Sequence, residues 1–143
     1  PAGGSYGLGA VPSGPTARGV LSGKYAPGQA PAADSRAGRG DKRMHQTEFR
    51  EESLRIAQQL QEHVASRGIT LAQFATAWVL AHRAVSSVIA GPRTLGQWRA
   101  YAPAPEVKLT AEDEALVDSL VAPGHPSTPG YTDPGYPLQR RTL

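Results

Sequence analysis

Two short extended stretches, residues 6–12 and 85–90, constrain this chain more than any other feature. The first alternates small and apolar residues and reads as a strand that Pro12 ends. The second carries Val85, Val88 and Ile89 and reads as a short buried strand stopped by Gly91-Pro92. Roughly 70 residues separate them, and a connection of that length demands parallel pairing with a right-handed crossover. Parallel strands need helices over their faces and neighbours on both edges. Two such strands alone leave both edges open. The expected fold is therefore α/β, the last part of a larger sheet or barrel.

The intervening sequence supplies helices. In residues 47–67, Phe49, Ser53, Ile56, Leu60 and Val64 recur at three- and four-residue steps and form one apolar face. Glu48, Glu51 and Glu52 sit where the helix dipole favours acids, and Gly68 ends the run. Thr70 with Gln73 opens a second helix to about His82, with Leu71, Phe74, Ala75, Trp78 and Val79 as its stripe. Thr94 with Gln97 forms the box for a helix from Leu95 to about Tyr101. Thr110 and Asp113 cap a last helix through Val121, with Leu116, Val117 and Leu120 inward. Residues 26–46, rich in Pro, Gly, Ala, Arg and Asp, read as a long surface loop. The tail, residues 123–143, is rich in Pro, Gly and Tyr and has no periodicity.

Composition narrows the class. The 143 residues include no cysteine, which excludes disulfides and thiolate metal sites and makes a reducing cytoplasm the expected compartment. No apolar run is long enough to cross a bilayer, so no membrane association is expected. No signal peptide is expected ahead of the first strand. The net charge is +3, with basic residues scattered except for Arg36, Arg39, Lys42 and Arg43. That cluster reads as a solvated loop, and no nucleic-acid module is expected. Pro1 stands where an initiator methionine would, which suggests a processed protein or a piece of a longer one.

Chemistry is expected at the Val85–Trp98 stretch. A strand feeding a loop into a helix start presents free N–H groups and a positive dipole end, and Arg93 sits at that opening. The alternative is a surface charge on an ordinary turn. Gly19-x-x-x-Gly23-Lys24-Tyr25 is no P-loop: it is one residue short, and Tyr25 stands where Ser or Thr must ligate magnesium. Gly7-x-Gly9 lacks the third glycine of a dinucleotide fingerprint. The four histidines fall on separate elements, so no metal site is expected, and His63 and His82 read as helix-surface or helix-end residues. The acidic groups Glu51-Glu52 and Glu112-Asp113-Glu114 are explained by helix dipoles, and Trp78 and Trp98 read as core.

Three segments, taken in order, resemble the C-terminal portion of the aldo-keto reductases. They are Ala17-Arg18-Gly19-Val20-Leu21-Ser22-Gly23-Lys24-Tyr25, then Asp34-Ser35-Arg36, then Trp78-Val79-Leu80 through Val88-Ile89-Ala90-Gly91-Pro92-Arg93-Thr94-Leu95. The chain is most similar to bacterial members related to potassium-channel β subunits. The resemblance implies a (β/α)8 TIM barrel, of which residues 1–122 would supply the last two parallel strands and their helices, with residues 123–143 a tail near the substrate mouth. It implies carbonyl reduction with NADPH, a small-molecule carbonyl substrate, and no nucleic-acid or membrane partner.

By the same resemblance, Ser13, Gly14, Pro15, Thr16, Ala17 and Arg18 lie along the nicotinamide and pyrophosphate of NADP. Lys24 reaches phosphate and Arg36 folds over the cofactor, while Gly91, Arg93 and Gln97 hold the adenosine end and its 2′-phosphate. The chain departs from the pattern at Ser13, where an aromatic residue is usual, at Gly96, and at Ala100-Tyr101. No catalytic residue is assigned, because the family's Asp, Tyr, Lys and His belong to earlier strands. The alternatives are a non-catalytic NADP(H)-binding or regulatory module, and a truncated product without activity of its own.

Overall fold

The computed structural model describes residues 6–131, 133 and 135. Among them the α-helices are α1 (Lys42–Thr47), α2 (Glu51–Ala65), α3 (Leu71–Leu80), α4 (Leu95–Tyr101) and α5 (Ala111–Leu120). Two 3-10 turns, Ala17–Ser22 and Ala104–Glu106, complete the order.

The two extended stretches meet side by side and run parallel, but neither forms a regular strand among the described residues. They touch at two isolated bridges, Ala10 to Val85 and Ser13 to Ile89. Ala10 N–H donates to the Ala84 carbonyl at 2.6 Å and Ser86 N–H donates back to Ala10 at 2.9 Å. Farther on, Ile89 N–H donates to Pro12 at 2.9 Å and Gly14 N–H to Ile89 at 3.1 Å. In an unbroken parallel ladder the next donor on the first segment would be residue 12, a proline without an N–H. Pairing therefore lapses there and resumes one residue out of step, from 10 to 13 on one side and 85 to 89 on the other. The expected burial of 85–90 fails as well. Ile89 is 57% exposed, and Leu8 and Val11 on the facing segment are 66% and 53% exposed.

The helix expected over 47–67 is divided. Thr47 closes α1, which Asp41 caps by accepting from Met44 N–H at 2.8 Å. Arg50 is extended, with φ −121° and ψ 149°, and α2 begins only at Glu51. Part of the expected surface loop is thereby drawn into the core. Met44 is fully buried beside Ala37 and Tyr25, and the Tyr25 hydroxyl accepts from Ala37 N–H at 3.3 Å. Gly38 makes that loop possible, since a Cβ there would lie 2.0 Å from the Ala32 carbonyl oxygen. The core continues through Val20, Leu54, Leu60, Val64, Leu71 and Phe74. Each side chain of this size contributes roughly 1.5–3 kcal/mol on burial.

The helix starts follow the sequence closely. Both halves of the capping box form at Thr70/Gln73 and at Thr110/Asp113. The second helix stops at Leu80, short of His82. Trp78 packs on Phe74 with ring centroids 5.9 Å apart, whereas Trp98 is 53% exposed and not a core residue.

Asp113 does far more than complement a dipole. It is fully buried and joins the end of α2 to the start of α5. Its Oδ1 accepts from His63 Nε2 at 2.7 Å, both oxygens accept from Arg67 Nη1 at 2.7 Å, and Oδ2 accepts from Thr110 N–H at 2.8 Å. Burial, the largest single influence, pushes the carboxyl's pKa up. Hydrogen bonds from His63, Thr110 and Arg67 outweigh it and hold the value at about 2. His63 is thus an anchored residue, not a surface one.

Candidate functional site

Beyond the parallel bridges the chain walls a groove of about 640 Å³. One wall is the turn after the first extended segment. Gly14, Ala17, Arg18 and Gly19 all have positive φ there, at 71°, 47°, 54° and 102°. Non-glycine residues in that region cost about 1–3 kcal/mol each, so Ala17 and Arg18 hold a strained backbone against the groove. The facing wall comes from Ile89, Gly91, Arg93 and helix α4, with Gln97, Ala100 and Tyr101 turned to the groove.

All eleven residues singled out from the sequence line this one groove. Ser13, Gly14, Pro15, Thr16, Ala17 and Arg18 lie along the first wall, joined by Lys24 and Arg36. Gly91, Arg93 and Gln97 lie along the second. Four cations, Arg18, Lys24, Arg36 and Arg93, therefore face one carboxylate, Glu48. Arg18 Nε pairs with Glu48 at 3.1 Å. Arg36 reaches Asp41 at 3.8 Å. The Asp41 carboxyl is held below its ordinary pKa, first by the Met44 N–H and then by Arg36, Arg18 and His45. Lys24 Nζ sits 5.1 Å from the Tyr25 ring centroid. Among the described residues no carboxylate pairs with Lys24 or Arg93.

Two of the N–H groups around the start of α4 are already taken, while those of Leu95 and Gly96, at its first two positions, have no hydrogen-bond acceptor among the described residues. Gln97 Oε1 accepts from Arg93 N–H at 2.6 Å, and Thr94 Oγ1 accepts from Gln97 N–H at 3.2 Å. The Gln97 amide thus turns to Arg93 and not to Thr94, which leaves the capping box half made. The Arg93 side chain adds a full positive charge at this end.

Three features escaped the sequence. Glu48 reads as a first-turn acid favoured by the helix dipole but stands in the gap between α1 and α2, against Arg18. Tyr101 hydrogen-bonds Thr16, hydroxyl to hydroxyl, at 3.1 Å. An apolar cavity of about 310 Å³ also lies behind the groove, among Ile56, Leu60, Leu71, Phe74, Trp78 and Val117. Ser127 of the tail lines that cavity and not the groove. It bonds Ser53 at 2.7 Å, while Tyr131 donates to the Gln46 carbonyl at 2.9 Å and stacks under Arg50. Tyr136 lies outside the described residues. Neither hydroxyl pair nor the Arg18–Glu48 pair is signalled by periodicity or capping, because each joins residues far apart in the chain.

Comparison with known proteins gives consistent matches. The aldo/keto reductase family model matches residues 3–122. A protein named probable voltage-gated potassium channel subunit beta from Oryza sativa subsp. japonica is 39% identical over 87 residues, 61% of this chain and 26% of that protein. Its namesake from Arabidopsis thaliana is 36% identical over the same extent. The chain thus spans about a quarter of the length of these curated relatives. The glycerol dehydrogenase structure from Gluconobacter oxydans superposes with a TM-score of 0.65 at 23% identity, over 91% of this chain and 39% of that one, and so shares its fold.

Proposed function

Because the chain belongs to the aldo/keto reductase family, a family of oxidoreductases, we propose that its groove holds NADP(H) and that it represents the C-terminal, cofactor-binding part of a carbonyl reductase. The two bridged segments would then occupy the last two strand positions of the barrel. The observation that carries this reading is the convergence of four cations from three separate stretches of chain on one groove. A volume of about 640 Å³ suits a cofactor-sized ligand.

The donor set fits a phosphorylated dinucleotide. In this reading Lys24 reaches the pyrophosphate, Arg36 folds over the cofactor, and Arg93 holds the 2′-phosphate through a charge-assisted contact. Arg18 engages phosphate by exchanging Glu48 for it. When bound, NADPH supplies a hydride to an aldehyde or ketone. The chain's own residues bind and orient it, and no side chain of the groove is assigned as proton donor. Ser13 offers no aromatic face to the nicotinamide, so that end is held by the Ser13–Thr16 backbone.

The second reading is a non-catalytic NADP(H)-binding or regulatory module, favoured by the names of the curated relatives as channel β subunits. A truncated product without activity of its own is its limiting case. Fluorescence titration with NADPH and NADH tests the shared premise. Saturable binding with NADPH preferred supports it, and absence of binding to both cofactors removes it. Expressing the coding sequence together with what lies upstream, and assaying aldehyde reduction, then separates enzyme from binding module.

A further inference from the structure

We propose that the Tyr101–Thr16 hydroxyl pair is a strut across the groove, and that Tyr101 positions the residue 16–19 segment for ligand through Thr16. The inference rests on the dinucleotide reading of the groove. Helix α4 buries none of its seven residues, so packing alone does not fix it against the opposite wall. Among the described residues, the 3.1 Å contact from Tyr101 to Thr16 is the one hydrogen bond from α4 to the residue 13–24 loop.

Thr16 is the root of the strained turn. It is buried, and its carbonyl accepts from Gly19 N–H at 2.9 Å and Leu21 N–H at 3.0 Å. Displacing Thr16 therefore displaces Ala17 and Arg18, whose positive φ values cannot relax independently. Tyr101 closes the last turn of α4 while Arg93 precedes its first, roughly 10 Å away at 1.5 Å per residue. Holding the Tyr101 end sets the separation between the wall that carries Arg18 and the wall that carries Arg93.

The pairing also leaves chemistry over. Two hydroxyls share one hydrogen bond, so the one that accepts keeps its own hydrogen. Both residues line the groove, and that hydrogen is available to a ligand oxygen.

The test uses Tyr101→Phe, which keeps the ring, and Thr16→Val, which keeps the branched shape. Three quantities are read: NADPH affinity, the rate of tryptic cleavage after Arg18 without nucleotide, and the melting temperature. Each single variant is expected to bind NADPH about three- to tenfold more weakly, the range one hydrogen bond commands. Cleavage after Arg18 accelerates while the melting temperature holds. The double variant is no weaker than either single one, and Thr16→Ser restores wild-type binding. Wild-type affinity and cleavage in Tyr101→Phe overturn the strut. So do additive losses in the double variant, or cleavage that accelerates equally at all sites. If the wild-type protein binds neither NADPH nor NADH, the dinucleotide reading falls, and the cleavage comparison still decides whether the strut holds the turn.

Discussion

Replacing Arg93 with Ala separates NADPH from NADH. The guanidinium is exposed at the rim of the groove and, among the described residues, has no carboxylate partner, so its charge is free to act on a ligand. A unit charge pair about 4 Å apart in water is worth about 1 kcal/mol, and a phosphate carries −1.5 to −2 charges near neutral pH. The direct contact then contributes roughly 1.5–2 kcal/mol, the low end of the 1.5–3 kcal/mol of charge-assisted hydrogen bonds. That corresponds to about 10- to 30-fold in affinity. NADH lacks the 2′-phosphate and is expected to lose less than about twofold, since a lone exposed charge acts on it only through its distant pyrophosphate. The assay is fluorescence titration of each cofactor against both proteins at two salt concentrations. Raising the salt shortens the Debye length from about 10 Å at 0.1 M to about 3 Å at 1 M, and the NADPH preference should shrink with it. Lys at this position should keep part of the preference as a point charge without the planar fork. Equal losses for NADH and NADPH would refute the placement of the 2′-phosphate beside Arg93.

Three further outcomes are expected. Glu48→Gln releases Arg18 and removes the carboxylate facing four cations, so NADPH should bind about two- to fivefold more tightly in the same titration, as expected of a partly exposed pair; weaker binding would show that Glu48 serves the turn and not the charge. The Asp113 carboxyl is depressed from 3.8 to about 2, so its contribution is fully present above pH 3.8 and lost as pH falls through about 2. At 1.36 kcal/mol per unit it amounts to roughly 2 kcal/mol, reduced to about 1–2 by solvent reaching the Arg67 side. Urea unfolding from pH 5 to 2 should show that loss in the wild type and not in Asp113→Asn, which starts about 3 kcal/mol less stable because it leaves the buried ends of Arg67 and His63 under-satisfied. The 143-residue chain by itself should not reduce a model aldehyde with NADPH; turnover at an enzyme-like rate would place a proton donor within it.

What the sequence determined by itself is local. The Thr70/Gln73 and Thr110/Asp113 boxes, and the bounds of α4 from Leu95 to Tyr101, are written in residues three apart, because a cap is satisfied within one turn. The parallel sense of the two extended segments followed from the length of chain between them. The grouping of Ser13–Arg18, Lys24 and Arg36 with Gly91, Arg93 and Gln97 came from resemblance, and the fold brings them to one groove.

Tertiary structure decided the rest. Proline at position 12 could be read as a strand end, but the one-residue slip in pairing depends on which carbonyl faces the missing N–H. Phe49 fits a helical stripe with Leu60 and Val64, yet the chain breaks at Arg50 so that Met44 can enter the core. Asp113 meets His63 and Arg67 from about 50 residues away, and Tyr101 meets Thr16 across 85. Periodicity and capping report only on neighbours along one element. The hydrogen bonds that anchor α5 and brace the groove join atoms brought together by packing, and packing is a property of the whole fold.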